Sequence, residues 1–240
     1  MKITPLGDSA VTISFSCAAD PAELLPTVWA TKKAIDKAAI PGVVETVSSY
    51  DSVTVFLDPL VPLSQGISAA RVGEWFNESI LAVASEFDKK RIRAKRAAET
   101  EIPVCFENEF ALDLVDAAAK CHLPPEGMIE RFCGARYQVA CVGFTPGFPY
   151  LSGLPAELAV PRRPSPRTIV PAGSVAIGGS QAGIYPSNSP GGWNVIGRTP
   201  VKLFEPQNDP PSLLTAGDRI RFKQISRAEF EAYHNRPEMP

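Results

Sequence analysis

Three observations predict an α+β amino-terminal domain followed by a mainly β domain built from short strands and tightly specified loops. Residues 1–88 alternate period-2 stretches with amphipathic helical stripes, a basic run within 89–99 interrupts the pattern, and Gly143 to Pro200 concentrates glycine and proline around short apolar runs. Glycine supplies positive φ and close backbone approach, while proline pre-sets φ and removes a donor, so such density specifies a fixed series of turns. The predicted layout is an α+β domain at 1–88, a linker at 89–99 and a β domain at 100–240.

In the first domain, Ser9 to Phe15 alternates as a half-buried strand should. Asp20-Pro21-Ala22-Glu23 has the form of a capped helix start, but Pro26 disfavours a helix interior there, so the helix is placed from Pro26 to about Ala39 and ends at Pro41-Gly42. Val43 to Ser49 and Ser52 to Leu57 read as two strands joined near Tyr50-Asp51, and Val72, Phe76, Ile80, Val83 and Phe87 form the stripe of a second helix. The product is a small α+β sandwich.

The run Asp88 to Arg96 carries no interleaved aromatics, so a solvated helix end and linker accounts for it better than a nucleic-acid platform. Beyond it, Glu101 to Phe106 is predicted as a strand, Asp113 to Cys121 and Pro125 to Phe132 as helices, and Tyr137 to Val142 as a strand. Within the glycine-rich centre, Thr168 to Val170, Ser174 to Ile177 and Trp193 to Ile196 are strand-sized. Val201 to Phe204 and Arg219 to Ile225 complete the strands, and the tail from Ser226 starts as a short helix.

A chain of 240 residues, 45% hydrophobic and 21% charged, suits one or two globular domains with a real core. Its formal charge of −2 gives no general attraction to nucleic acid or anionic membrane, and no apolar run approaches a membrane span. No signal-like stretch follows Met1, so a cytoplasmic location is expected. Cys17, Cys105, Cys121, Cys133 and Cys141 are odd in number and lack CxxC spacing, and only His122 and His234 accompany them, so free thiols are expected and no metal site.

Two readings of the central loops stand side by side. Glycine and proline shape the turns of a small barrel, or the shaped loops build a pocket lined by Phe148, Tyr150, Gln181, Tyr185, Ser189, Trp193 and Arg198. Arg162, Arg163 and Arg167 would be surface charge under the first reading and would steer an anion under the second.

The order of motifs in this stretch resembles the family that takes in allophanate hydrolase subunit 1, the kinase A inhibitor (KipI) and the B-type subunit of 5-oxoprolinase. The resemblance is carried by GFTPGFPYL from Gly143, VPAGSV from Val170, GGSQ from Gly178, GIYP from Gly183, SPGGWN from Ser189, GRTP from Gly197 and AGDRIRF from Ala216. GDSA at Gly7, PGVVE at Pro41 and FLDPL at Phe56 extend it over nearly the whole chain. It implies a ferredoxin-like sandwich followed by a cyclophilin-like β-barrel. Many members carry a histidine just before the strand at Tyr137; here the residues are Arg131-Phe132-Cys133, and no role for that histidine carries over.

No GxxxxGK[ST], GxSxG or HExxH motif occurs. The resemblance therefore implies one subunit of an ATP-dependent 5-oxoprolinase, inactive alone, with subunits of the A and C types as partners and ATP serving the complex. A lactam is a poor electrophile, and opening it calls for preorganised donors. The catalytic candidates are Arg198, Gln181 and Asn194. Backbone and side chains at Gly173, Ser174, Gly179, Gly191 and Gly192 join Phe148, Tyr150, Tyr185, Ser189, Trp193, Arg162, Arg163 and Arg167 as the substrate-binding set. Two other readings are implied by the resemblance: a binding module that inhibits a sensor histidine kinase, and a component of biotin-dependent urea carboxylation, for which the chain lacks a Met-Lys-Met biotin site.

Overall fold

A computed structural model describes residues 1–15, 21–85 and 99–234, and the chain divides into two compact units, Met1–Arg96 and Ala97–Pro240. The sequence expectations for Asp20, Phe87, Cys17 and the whole basic run from Asp88 to Arg96 fall outside the described residues.

Unit 1 runs β1 (Lys2–Pro5), β2 (Ala10–Ser14), α1 (Leu25–Ala38), β3 (Val43–Ser48), β4 (Ser52–Leu57), α2 (Leu60–Ser64) and α3 (Val72–Ser85). Its sheet is antiparallel in the order β1-β2-β4-β3. Pro26 sits in the first turn of α1, where no intrahelical bond would use its missing N–H. Alternation puts Val11, Ile13, Val53, Val55 and Leu57 on one face, against Val28 and Ile35 of α1 and Phe76 and Ile80 of α3. Gly42 has a φ of 81°, and a Cβ there would lie 2.9 Å from the Phe76 ring and 3.0 Å from the Asp58 carbonyl, so glycine is required where the chain leaves α1 for the sheet. β1 and α2 were not legible in the hydrophobic pattern.

Unit 2 runs β5 (Glu99–Cys105), α4 (Leu114–Lys120), α5 (Pro125–Gly134), β6 (Tyr137–Val142), β7 (Pro149–Ser152), β8 (Arg167–Val170), β9 (Ser174–Gly178), β10 (Gln181–Ile184), β11 (Ser189–Gly191), β12 (Asn194–Arg198), β13 (Arg219–Ile225) and α6 (Arg227–His234). Seven strands close into a barrel in the order β10-β7-β6-β13-β5-β12-β9, and β8 with β11 forms a separate two-stranded ribbon. β5 and β13 pair in parallel over seven residues, joining the two ends of the unit. Val104, Val139, Leu151, Val175, Ile177, Ile184, Ile196, Ile220 and Phe222 share one core with Met128 and Phe132 of α5.

The strand expected at Val201 to Phe204 does not form; Phe204 makes one isolated bridge, to Ser212. The prolines explain the difference. Pro210 and Pro211 turn the chain back at once, so that Glu205 N–H reaches the Pro211 carbonyl (2.8 Å) and Leu213 N–H the Leu203 carbonyl (2.9 Å), leaving a loop with no ladder to extend. The four cysteines among the described residues are free thiols.

Candidate functional site

Alternation along β9 and β12 creates a second, smaller apolar cluster beside the main core. Val175, Ile177 and Ile196 enter the main core, whereas Ala176 and Val195 turn to the opposite face and meet Phe148, Val170, Tyr185 and Trp193. The rings pack edge to face: Phe148 lies 5.1 Å from Tyr185 and 5.7 Å from Trp193, and Tyr150 lies 5.8 Å from Trp193.

These rings wall a cavity of about 340 Å³, completed by Phe144, Arg162, Arg163, Pro166, Pro190, Gly191 and Gly192. Gly191 has to lack a side chain, because a Cβ there would collide with the Tyr185 hydroxyl. Phe144 is held at a φ of 71° and is 64% exposed, with its ring 5.7 Å from Phe148. A large exposed ring in left-handed backbone is costly, so the surrounding loop over-determines its place at the pocket. Burial raises the Tyr185 phenol, with a backbone hydrogen bond from Trp193 opposing, and burial with the neighbouring Cys141 raises Tyr150. Both phenols therefore stay protonated at neutral pH, and the pocket can stack a small planar ring and offer O–H donors.

On the other side of the 161–167 segment lies a buried ionic knot. Asp113, 3% exposed, immediately precedes α4. Its carboxylate accepts from both terminal nitrogens of Arg167 (2.6 and 2.8 Å), from Arg163 and from the Val195 N–H (2.8 Å). Burial raises the Asp113 carboxyl, but the Arg167 hydrogen bonds, the Val195 N–H and the two guanidinium charges outweigh it and hold the group below its ordinary range. Asn194, 1% exposed, donates to the carbonyls of Pro161 (2.9 Å) and Ile177 (3.2 Å), and Arg163 N–H donates to the Gly192 carbonyl (2.7 Å). The knot and these bonds fix the segment that carries Arg162.

Of the residues singled out in the sequence, the pocket gathers Phe148, Tyr150, Tyr185, Gly191, Gly192, Trp193, Arg162 and Arg163. Arg167 is held in the knot behind it. Arg198 is not in the lining; its Nε donates to the Ala172 carbonyl (2.7 Å), which holds the Pro171-Ala172-Gly173 turn. Gln181 opens β10, and Ser174 is buried in β9. The N–H groups of Gly173 and Gly179 are already bonded to the carbonyls of Tyr185 and Val160, each at 2.7 Å, and are not open donors. Ser189 adjoins Pro190 with its hydroxyl buried and unpaired. Asp113 and Phe144 escaped the sequence reading: an aspartate before a helix reads as a cap, and nothing local shows that its carboxylate faces two arginines about fifty residues away.

Comparison with known proteins matches residues 1–214 to the family described as carboxyltransferase domain, subdomain C and D. The chain is 39% identical over 237 residues to the B-type subunit of 5-oxoprolinase from Bacillus subtilis (strain 168), covering 97% of this chain and 96% of that protein. The crystal structure of TTHA0988 superposes on 96% of this chain with a TM-score of 0.74 and 31% identity, and the chain spans 41% of it. Kluyveromyces lactis urea amidolyase superposes on 96% with a TM-score of 0.74, at 20% identity and over 15% of its own length, a likeness of fold alone.

Proposed function

This chain belongs to the family described as carboxyltransferase domain, subdomain C and D, and from that premise we propose that it is the B-type subunit of an ATP-dependent 5-oxoprolinase, working in the cytoplasm with partners of the A and C types. The complex opens the lactam of 5-oxoproline to glutamate, and the isolated chain is inactive. The observation that carries the reading is the aromatic pocket: about 340 Å³ with five aromatic side chains and two arginines in its lining, suited to a small ring acid. The name of the Bacillus subtilis relative, which matches 97% of this chain, supports the same substrate.

A triphosphate does not fit this pocket. Arg163 and Arg167 are neutralised by Asp113, and of the three arginines near it only Arg162 lacks a carboxylate partner among the described residues. On this reading ATP is handled by a partner subunit, and the contribution of this chain is to bind and orient the lactam. Phe148, Tyr150, Tyr185 and Trp193 hold the ring while excluding water. Asn194 and Arg198 act as positioning residues through the loops they tie, and Gln181 through the start of the strand that leads to Tyr185. We further read unit 1 as a ferredoxin-like sandwich with β1 on the sheet edge beside β2, the barrel as cyclophilin-like, and the residues near 89–99 as the boundary between them.

Plugging the pocket tests the proposal. A Cβ at Gly192 would meet nothing closer than Pro166 at 3.7 Å, and its φ is not in the left-handed region, so Gly192→Leu adds bulk without forcing the backbone. The variant is expected to co-purify with the partner subunits and to lose ATP-dependent glutamate release at least tenfold, equivalent to about 1.4 kcal/mol or more. Full turnover by an assembled Gly192→Leu complex would remove the pocket from the function.

A further inference from the structure

Three consecutive residues, Pro161, Arg162 and Arg163, meet different fates. The carbonyl of Pro161 is held by Asn194, and Arg163 is held twice, by its N–H to Gly192 and by its guanidinium to Asp113. Arg162 lies between two anchored residues, so its backbone is fixed while its exposed side chain is not. Its guanidinium carbon sits 5.8 Å from the centre of the Trp193 ring, and no carboxylate pairs with it among the described residues. The fold supplies a buried acid for the next arginine and for Arg167, but none for the one arginine that lines the pocket unpaired.

Polar groups without partners also occur beside this arginine. Arg163 Nε, Ser189 Oγ and Thr145 Oγ1 are buried without a hydrogen-bond partner, and they belong to a pocket-lining residue and to the neighbours of two others, Pro190 and Phe144. Unpaired buried polar atoms are uncommon, and these three belong to the pocket wall and the chain beside it. Gly192, in the same wall, presents bare backbone.

We infer that Arg162 is the specificity-determining anion anchor of this pocket: it rests on the Trp193 face and leaves it to pair with the carboxylate of a small ring acid whose ring packs against the aromatic wall. This rests on the reading of the pocket as the lactam site, and adds to it the basis for choosing a carboxylated lactam over a neutral one. An exposed cation–π contact is weak beside a bidentate guanidinium–carboxylate pair in a partly dry pocket, so the exchange runs toward the ligand. Arg163 and Arg167, already bound to Asp113, cannot substitute for it.

The test uses the reconstituted complex with 5-oxoproline as substrate and 2-pyrrolidinone, the same lactam without the carboxylate, as competitor. Arg162→Ala should raise KM for 5-oxoproline at least tenfold with kcat within about twofold, Arg162→Lys should recover part of the loss, and 2-pyrrolidinone should inhibit wild type and Arg162→Ala alike. Arg162 is exposed and rests against Trp193, so unchanged thermal unfolding is the expected control. If Arg162→Ala leaves KM unchanged while Gly192→Leu abolishes turnover, the pocket stands and the anchor is overturned. If Arg162→Ala weakens 5-oxoproline and 2-pyrrolidinone equally, the residue packs the pocket and does not select the carboxylate, which also overturns the inference. If neither Arg162→Ala nor Gly192→Leu changes turnover, the lactam reading falls and takes the anchor with it.

Discussion

The two faces of the 161–167 segment treat the same side chain in opposite ways. On one face Arg163 and Arg167 converge on Asp113, which is 3% exposed, and their charge is neutralised inside the protein. On the other, Arg162 lies over Trp193 at the mouth of an aromatic cavity with no acid beside it among the described residues. Charge that is matched internally holds a loop in place, and charge left unmatched over an apolar wall is available to a ligand. The difference separates architecture from recognition within a few residues of chain.

The sharpest way to break this comparison is to remove the acid. Asp113→Asn leaves two partly buried guanidinium groups without their counter-charge and weakens the acceptor for the Val195 N–H. Uncompensated buried charge costs about 3–5 kcal/mol; with these arginines 22–30% exposed, hydration offsets part of that, and about 2–4 kcal/mol is expected. The melting temperature should fall by roughly 5–15 °C, whereas the same measurement on Arg162→Ala should stay within about 2 °C. Equal losses in the two variants would erase the distinction between knot and anchor.

That distinction was only half legible in the sequence. The strands at Ser52, Ser174 and Tyr137 and the helix at Pro125 follow from period and punctuation, because those signals are local. The glycine- and proline-rich motifs named Phe148, Tyr150, Tyr185, Trp193, Gly191 and Gly192, and the fold brings these into one lining; that Gly191 must be glycine because the Tyr185 hydroxyl passes it is visible only in the fold. What could not be read was partnership. Arg162, Arg163 and Arg167 look alike in a loop, and only the fold brings Asp113 to two of them and leaves the third. The donors expected at Gly173 and Gly179 failed for a related reason: whether an N–H is open depends on a carbonyl supplied by another element, here Tyr185 and Val160. The extra strand at Val201 to Phe204 shows the limit of apolar runs bounded by prolines, which pattern like strands and fold as loops.

A smaller effect sharpens the same comparison through pH. The Asp113 carboxyl is held below its ordinary value of 3.8, so its contribution to stability is fully present above that value and is lost as pH falls through the lower, folded-state value. Wild type should therefore lose melting temperature on acidification below about pH 4 with a steeper slope than Asp113→Asn, in which the titrating group is gone. Parallel slopes would mean that other carboxylates carry the acid response and that the knot contributes little.

Whether the lactam sits in this pocket is measured most directly by a crystal structure of the assembled complex with 5-oxoproline. The expected result is ligand density between Trp193, Tyr150 and Tyr185 with the carboxylate on Arg162, the guanidinium moved off the Trp193 face, and the Asp113 knot unchanged. Density for 5-oxoproline on a different polypeptide of the complex, with Arg162 still resting on Trp193, would contradict it.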